Sequence, residues 1–205
     1  MNRRDFLKYS AMTVLGMGVP LLLPASGESR AVAVEKPMIR RRFLQFTDHE
    51  ERPATEFLVI HHTGYPVDKD STVAEIHKFH REELGWAGIG YHYLISKNGL
   101  IEQGRWPSLV GAHAYHYNRT SVGICLAGNF DLAKPTRAQM KSVKRLTAWL
   151  CQEYSLDPMK SGVIVGHRDL NDTSCPGENL YSLLGDIRQF CRDSADAAAR
   201  TALSR

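Results

Sequence analysis

Apolar and polar positions along this chain follow two periods, and the switches between them mark its elements. Phe57-Leu58-Val59-Ile60 is an unbroken apolar run that ends in His61-His62, which predicts a strand over 57–62 covered on both faces. Val73, Ile76, Phe79 and His80 recur at helical spacing. They predict a helix over about 71–83, opened by Thr72-Val73-Ala74-Glu75 as a capping box. Two short runs, 91–96 and 100–105, flank Asn98-Gly99, the strongest short hairpin signal. A further strand is expected at 121–127 and a helix at about 136–154, started by Thr136-Arg137-Ala138-Gln139, with Met140, Val143, Leu146 and Leu150 turned inward. Gly162-Val163-Ile164-Val165-Gly166 reads as a short buried strand, and a last helix fits about 179–191. The order β-α-β-β-β-α-β-α argues one α/β domain over 40–192, a mixed central sheet flanked by helices. Residues 34–39 read as an arm and 193–205 as a helical or frayed tail.

Length agrees, since 205 residues suffice for one domain with a substantial core. The formal charge of +4 falls to +2 once residues 1–33 are set aside, because they hold four cations (Arg3, Arg4, Lys8, Arg30) against Asp5 and Glu28. Such a balance gives no argument for nucleic acid. Arg40-Arg41-Arg42 reads as a solvated stretch. Residues 1–33 read as an export signal. Asn2-Arg3-Arg4-Asp5-Phe6-Leu7-Lys8 resembles the twin-arginine consensus, and Ala31-Val32-Ala33 suits a small-x-small cleavage site. The apolar stretch Ala11 to Pro24 is broken by Gly16, Gly18 and Pro20, and falls short of the about twenty residues a membrane span needs. The expectation is a twin-arginine substrate, periplasmic or extracellular, with no stable membrane span after processing.

Chemistry gathers late in the chain. Gly166-His167-Arg168-Asp169 through Ser174-Cys175-Pro176-Gly177 sets an imidazole and a thiol on a polar loop, eight positions apart. That gap is too long for neighbouring helical turns, and it suits a loop that returns a thiolate to the same metal. With a histidine from the 57–62 strand the set becomes two imidazoles and one thiolate. It suits zinc, and leaves a fourth position for water. Such a site points to a hydrolase. Side chains alternate along a strand, so only one of His61 and His62 can face a given metal. Of the other cysteines, Cys125 reads as a core strand residue, while Cys151 and Cys191 fall on helices with no pairing assigned.

His61-His62-Thr63, Gly90-Tyr91-His92-Tyr93, Gly111-Ala112-His113-Ala114, Tyr117-Asn118, Ser121-Val122-Gly123-Ile124 and Gly166-His167-Arg168 through Cys175-Pro176-Gly177 occur in one order. Over about residues 55–190 the series resembles the zinc-dependent N-acetylmuramoyl-L-alanine amidases, the superfamily of phage lysozyme-amidases and peptidoglycan recognition proteins. The resemblance implies the amidase fold of the peptidoglycan recognition proteins, a zinc cofactor, and hydrolysis of the amide between N-acetylmuramic acid and L-alanine in peptidoglycan or muropeptides. It implies His61, His167 and Cys175 as zinc ligands, with His62 packed on the other face. Tyr91 matches a tyrosine whose hydroxyl lies near the zinc-bound water, and Thr173 stands where phage enzymes carry lysine, as a secondary donor. His113 matches a histidine of the substrate groove, with Tyr117 and Asn118 beside it. His77, His80, His92 and His116 have no such support and are expected to be structural or exposed. Cys125 stands where the cytoplasmic recycling branch has a catalytic glutamate. A noncatalytic peptidoglycan-binding module and a Cys175–His167 peptidase are the rival readings; the complete ligand set opposes the first, and the second lacks a third member.

Overall fold

The computed structural model describes residues 33–203. Its centre is a six-stranded mixed sheet. Strand β2 (Phe57–His62) pairs in parallel with β5 (Ser121–Leu126) on one side and β6 (Ile164–Gly166) on the other. Strand β3 (Tyr93–Ile95) continues the sheet from β5 and forms an antiparallel hairpin with β4 (Ile101–Gln103). Strand β1 (Ile39–Arg41) closes the far side, giving the order β1-β4-β3-β5-β2-β6.

The apolar run at β2 is buried because both of its faces are covered. Leu58 and Ile60 point into the larger core, against helix α2 (Arg137–Glu153) and helix α4 (Leu184–Leu203). Alternation carries His62 to that same face, where its ring sits 6.0 Å from Phe130. His61 shares the opposite face with its register partner Cys125, beside the smaller core that helix α1 (Val73–Glu82) builds with Ile89 and Leu94.

The expected capping box forms, with Thr72 and Glu75 exchanging side-chain to backbone bonds at the start of α1, and Thr136 and Gln139 form a second at the expected start of α2. Gln139 also ties α2 to the sheet, its fully buried amide donating to the carbonyls of Ala127 (2.7 Å) and Ile95 (3.3 Å). The hairpin turns through Gly99 at φ +85°, where a Cβ would lie 2.8 Å from the Ala138 carbonyl.

Several expectations need correction. Phe79, assigned to the apolar stripe of α1, is 39% exposed while Val73, Ile76 and His80 are buried. The single last helix is two: a turn α3 (Glu178–Tyr181), then α4, which runs past 191 to Leu203 because the alanine-rich segment favours helix. Strand β1 was read as arm and solvated arginines. Its backbone pairs with β4, and Arg40 and Arg42 reach the wholly buried carboxylate of Glu102 at 3.2 and 2.6 Å. Glu102 also accepts the Val73 amide at the α1 N-terminus (3.3 Å), so one anion joins strand, arm and helix. At the opposite margin Arg188 forks onto the Ile164 carbonyl of β6 (3.1 and 2.6 Å).

All four cysteines are free thiols, with Cys151 and Cys191 buried on the packed helices α2 and α4. Among the described residues no helix is long and apolar enough to cross a membrane. The expected export signal, residues 1–33, lies outside the described residues except for Ala33.

Candidate active site

Two strand ends and a returning loop build the site. β2 ends in His61 and His62, and β6 ends at Gly166, so that His167 opens a single 3-10 turn (His167–Asp169) at the carboxyl edge of the sheet. The chain then loops and returns Cys175 beneath His61. One ligand atom from each of His61, His167 and Cys175 lies within 4.8 Å of the others. Cys175 Sγ is 3.7 Å from His61 Nδ1, and the His61 and His167 rings are 4.5 Å apart. His62 takes no part; its Nδ1 accepts the Phe130 amide at 3.1 Å.

Side chains and crossed backbone bonds hold the returning loop. The Arg168 amide donates to the Cys175 carbonyl (2.8 Å), and the Arg168 guanidinium reaches Ser174 O (2.5 Å) and Glu178 (2.8 Å). Asp169 accepts the Gly166 amide (2.8 Å) and the Tyr181 hydroxyl (2.6 Å). Gly177 stands at φ +82°, where a Cβ would lie 2.5 Å from the Phe130 backbone.

The tautomer of His61 follows from its neighbours. The Ser121 hydroxyl donates to Tyr117 O (2.7 Å), so Ser121 Oγ faces the His113 Nε2 as an acceptor, in a long contact of 3.5 Å. His113 Nδ1 is then bare and accepts from His61 Nε2 at 3.1 Å. His61 Nδ1 keeps its lone pair, directed toward Cys175 Sγ. Burial, and next the neighbouring His167, hold His61 well below the usual histidine range; burial lowers His113 and His167 as well. Burial pushes the Cys175 thiol up to about 12. Two neutral imidazoles and a sheltered thiol form an N2S set that fits zinc, which takes the place of the thiol proton. The same elevated thiol lacks the low pKa of a nucleophilic cysteine.

Above the triad opens a cleft of about 480 Å³ lined by Trp86, Tyr91, His113, Tyr115, Asn118, His167, Asn171 and Thr173, among others. Tyr91 precedes β3, in a segment that three buried histidines fasten. His77 Nδ1 accepts the Ile89 amide (3.2 Å), His80 Nδ1 the Gly90 amide (3.0 Å) and His92 Nδ1 the Gly123 amide (3.0 Å). These histidines are structural; His116 is exposed, at φ +67°. The Tyr91 ring lies 5.2 Å from that of His61, and its phenol is raised well above the usual tyrosine range, first by burial and next by the neighbouring Cys125 thiol. Thr173 Oγ1 accepts the Cys175 amide (3.2 Å), which leaves its own proton free to donate.

Of the three residues expected in the groove, His113 lines the cleft but is largely buried, and its Nδ1 is taken up by His61 at 3.1 Å. Asn118 lines the cleft, yet its Oδ1 is engaged by the amides of His113 (2.8 Å) and Ala114 (2.9 Å). Tyr117 packs edge-on against Phe57 and lines a separate cavity with Asp169, Tyr181 and Arg188. The residue reading missed Asn171, which contacts His167, and the cleft walls Trp86 and Tyr115. The turn-favouring pair Asn171-Asp172 is the only signal the sequence carries at that position.

The profile of the N-acetylmuramoyl-L-alanine amidase family matches residues 51–178. Peptidoglycan-recognition protein LB of Drosophila melanogaster is 32% identical over 155 residues, 73% of this chain and 66% of that protein. The endolysin of Klebsiella phage KP32 is 34% identical over 142 residues, 67% of this chain and 88% of that protein. Among solved structures, the amidase LysC from Clostridium intestinale URNW superposes with a TM-score of 0.67 at 32% identity, covering 75% of this chain and 97% of that one. A mutant of Drosophila PGRP-LB in complex with tracheal cytotoxin gives 0.64 at 30% identity, covering 72% and 92%.

Proposed function

Because the chain belongs to the N-acetylmuramoyl-L-alanine amidase family, we propose that it is a zinc-dependent hydrolase of the amide joining N-acetylmuramic acid to L-alanine, in peptidoglycan or its fragments. The observation that carries this reading is the meeting of His61, His167 and Cys175 within 4.8 Å beside an open cleft. Export through the twin-arginine machinery to the periplasm or cell exterior belongs to the same proposal.

Zinc, when bound, supplies Lewis acidity toward the lactyl carbonyl and a water of lowered pKa. His61 and His167 serve as neutral ligands, and Cys175 contributes the single negative charge of the set. His113 holds the His61 ring in the tautomer that offers Nδ1. Tyr91 stays protonated at neutral pH, so its hydroxyl donates to the negative oxygen that develops as the amide is attacked. Thr173 Oγ1 is the second donor from the loop side of the cleft. Water gives its hydroxyl to the lactyl carbon and a proton to the departing alanine nitrogen, with Tyr91 Oη assigned the hand-over. Trp86 and Tyr115 wall the cleft and offer apolar faces to sugar or peptide.

Digestion of purified sacculi and of isolated muropeptides, followed by mass spectrometry with and without chelator, tests the reading. The expected result is release of stem peptides with free L-alanine amino termini, stopped by chelator and restored by zinc. Cys175→Ala is expected to lose both the metal and the release. Co-sedimentation with sacculi without release would make the protein a binding module, and release indifferent to chelator would remove zinc from the reaction.

A further inference from the structure

One carboxamide touches both the metal-ligand set and the wall of the cleft. Asn171 Oδ1 lies 3.1 Å from His167 Nε2, and Asn171 Nδ2 donates to the Tyr115 carbonyl at 3.2 Å. A carbonyl can only accept, so the NH2 group must face Tyr115, and this sets which way the amide is turned. Oδ1 therefore faces His167. An acceptor there requires the proton on Nε2, and the Nδ1 of His167 keeps its lone pair.

The other contact lands on the rim. Tyr115 is 73% exposed, lines the cleft, and lies against His116 with ring centroids 3.9 Å apart and the planes tilted by 51°. His116 holds the left-handed conformation at φ +67°, which costs a non-glycine residue about 1–2 kcal/mol. Strain of this kind persists where the surroundings over-determine the backbone. Here Asn118 grips the loop from inside through the amides of His113 and Ala114, and Asn171 grips it from across the cleft.

We propose that Asn171 is a positioning residue for two sites at once: it selects the His167 tautomer that a cation needs, and it sets Tyr115 as a wall against the substrate. Loading of the cation and affinity for substrate are then linked through one side chain, and by thermodynamic necessity the linkage runs both ways. The substrate half rests on the amidase reading; the cation half does not.

Asn171→Ala and Asn171→Asp in the full chain separate the two roles. Zinc affinity is read without substrate, by competition with a chromophoric chelator; KM is read on muropeptides, and thermal unfolding of the metal-free proteins reports folding. Alanine removes both contacts, so zinc affinity falls by about 10–100-fold and KM rises. Aspartate still accepts from Nε2–H but cannot donate to Tyr115, so zinc affinity stays within about threefold of the parent or tightens, while KM rises by about 3–10-fold. Equal loss of zinc in both variants would overturn the tautomer role, and an unchanged KM in the aspartate variant would overturn the wall. Should the parent protein turn over no muropeptide, the amidase reading falls while the zinc comparison still decides the first half, and titration of muropeptide binding decides the second.

Discussion

The β2 half of the site and the loop half bring donors to the same point by different means. His61 is placed by a ladder: parallel pairing to β5 through six registered positions and to β6 through three, over a core in which Leu58 and Ile60 are fully buried. His167 and Cys175 are placed by a handful of side chains, among them Arg168, Asp169, Asn171 and Tyr181, each bonded to one partner or two. A ladder is redundant, so a change in any one side chain leaves the backbone where it was. A laced loop has no such redundancy. Substitutions in the first half are therefore expected to act on stability, and substitutions in the second on affinity and turnover.

The sharpest probe is a residue that belongs to neither half and needs both. Tyr91→Phe keeps the ring against His61 and removes only the donor, so kcat should fall by about 10²–10³-fold with zinc content unchanged. Metal analysis alongside steady-state kinetics reads both quantities. Loss of zinc from that variant would mean the phenol supports the ligand set rather than the reaction.

Acid attacks the strand side through its histidines. Burial pushes His80 down to about 4 and His92 to about 3, and both accept backbone amides that hold the Tyr91 segment and β5. Because these values lie below the ordinary histidine range, the unfolded chain binds protons that the folded one refuses as pH drops below about 6.5. The metal-free protein should keep its full stability above that point. It should lose on the order of 3 kcal/mol through each imidazole by pH 4, about 6 kcal/mol together, with little further loss from these two groups below pH 3. Urea unfolding across pH 7 to 3 measures the slope; a flat profile would show that these imidazoles are free to charge in the folded state.

The smallest effects separate the halves most cleanly. Ile60→Val on β2 should cost about 0.5–1.5 kcal/mol in unfolding and leave zinc affinity alone. Arg168→Met removes the bonds to Ser174 and Glu178, so zinc affinity should drop about tenfold, with stability falling by about 1 kcal/mol or less. If the arginine variant instead lost stability and kept its zinc, the loop would be as redundant as the ladder.

The same division decides what could be read before any coordinates. β2, the hairpin at Asn98-Gly99 and both capped helices were legible because each carries its signal locally, as a run, a turn or a cap. β1 was not legible, since three residues rich in arginine make sense only against Glu102, some sixty positions away. The break between α3 and α4 carried no proline or glycine signal at Ser182-Leu183. Within the site, the proximity of His61, His167 and Cys175 was expected, whereas Asn171 was passed over because its partner His167 is reached through an irregular turn rather than a helix. Tyr117 was set in the groove beside its neighbour Asn118, but the loop turns the two side chains to different cavities.

Both margins of the sheet end in guanidinium groups. Arg188 occupies the outward carbonyl of β6, while the three-residue β1 carries Arg40, with Arg42 just past its end, and both arginines are paired to Glu102. A six-stranded sheet otherwise presents open amide edges on which neighbouring copies can template and grow. At the β6 margin a second molecule meets Arg188 on the carbonyl it would need as a rung, and at the β1 margin it meets a strand of only three residues, so each edge carries its own brake on growth into fibres.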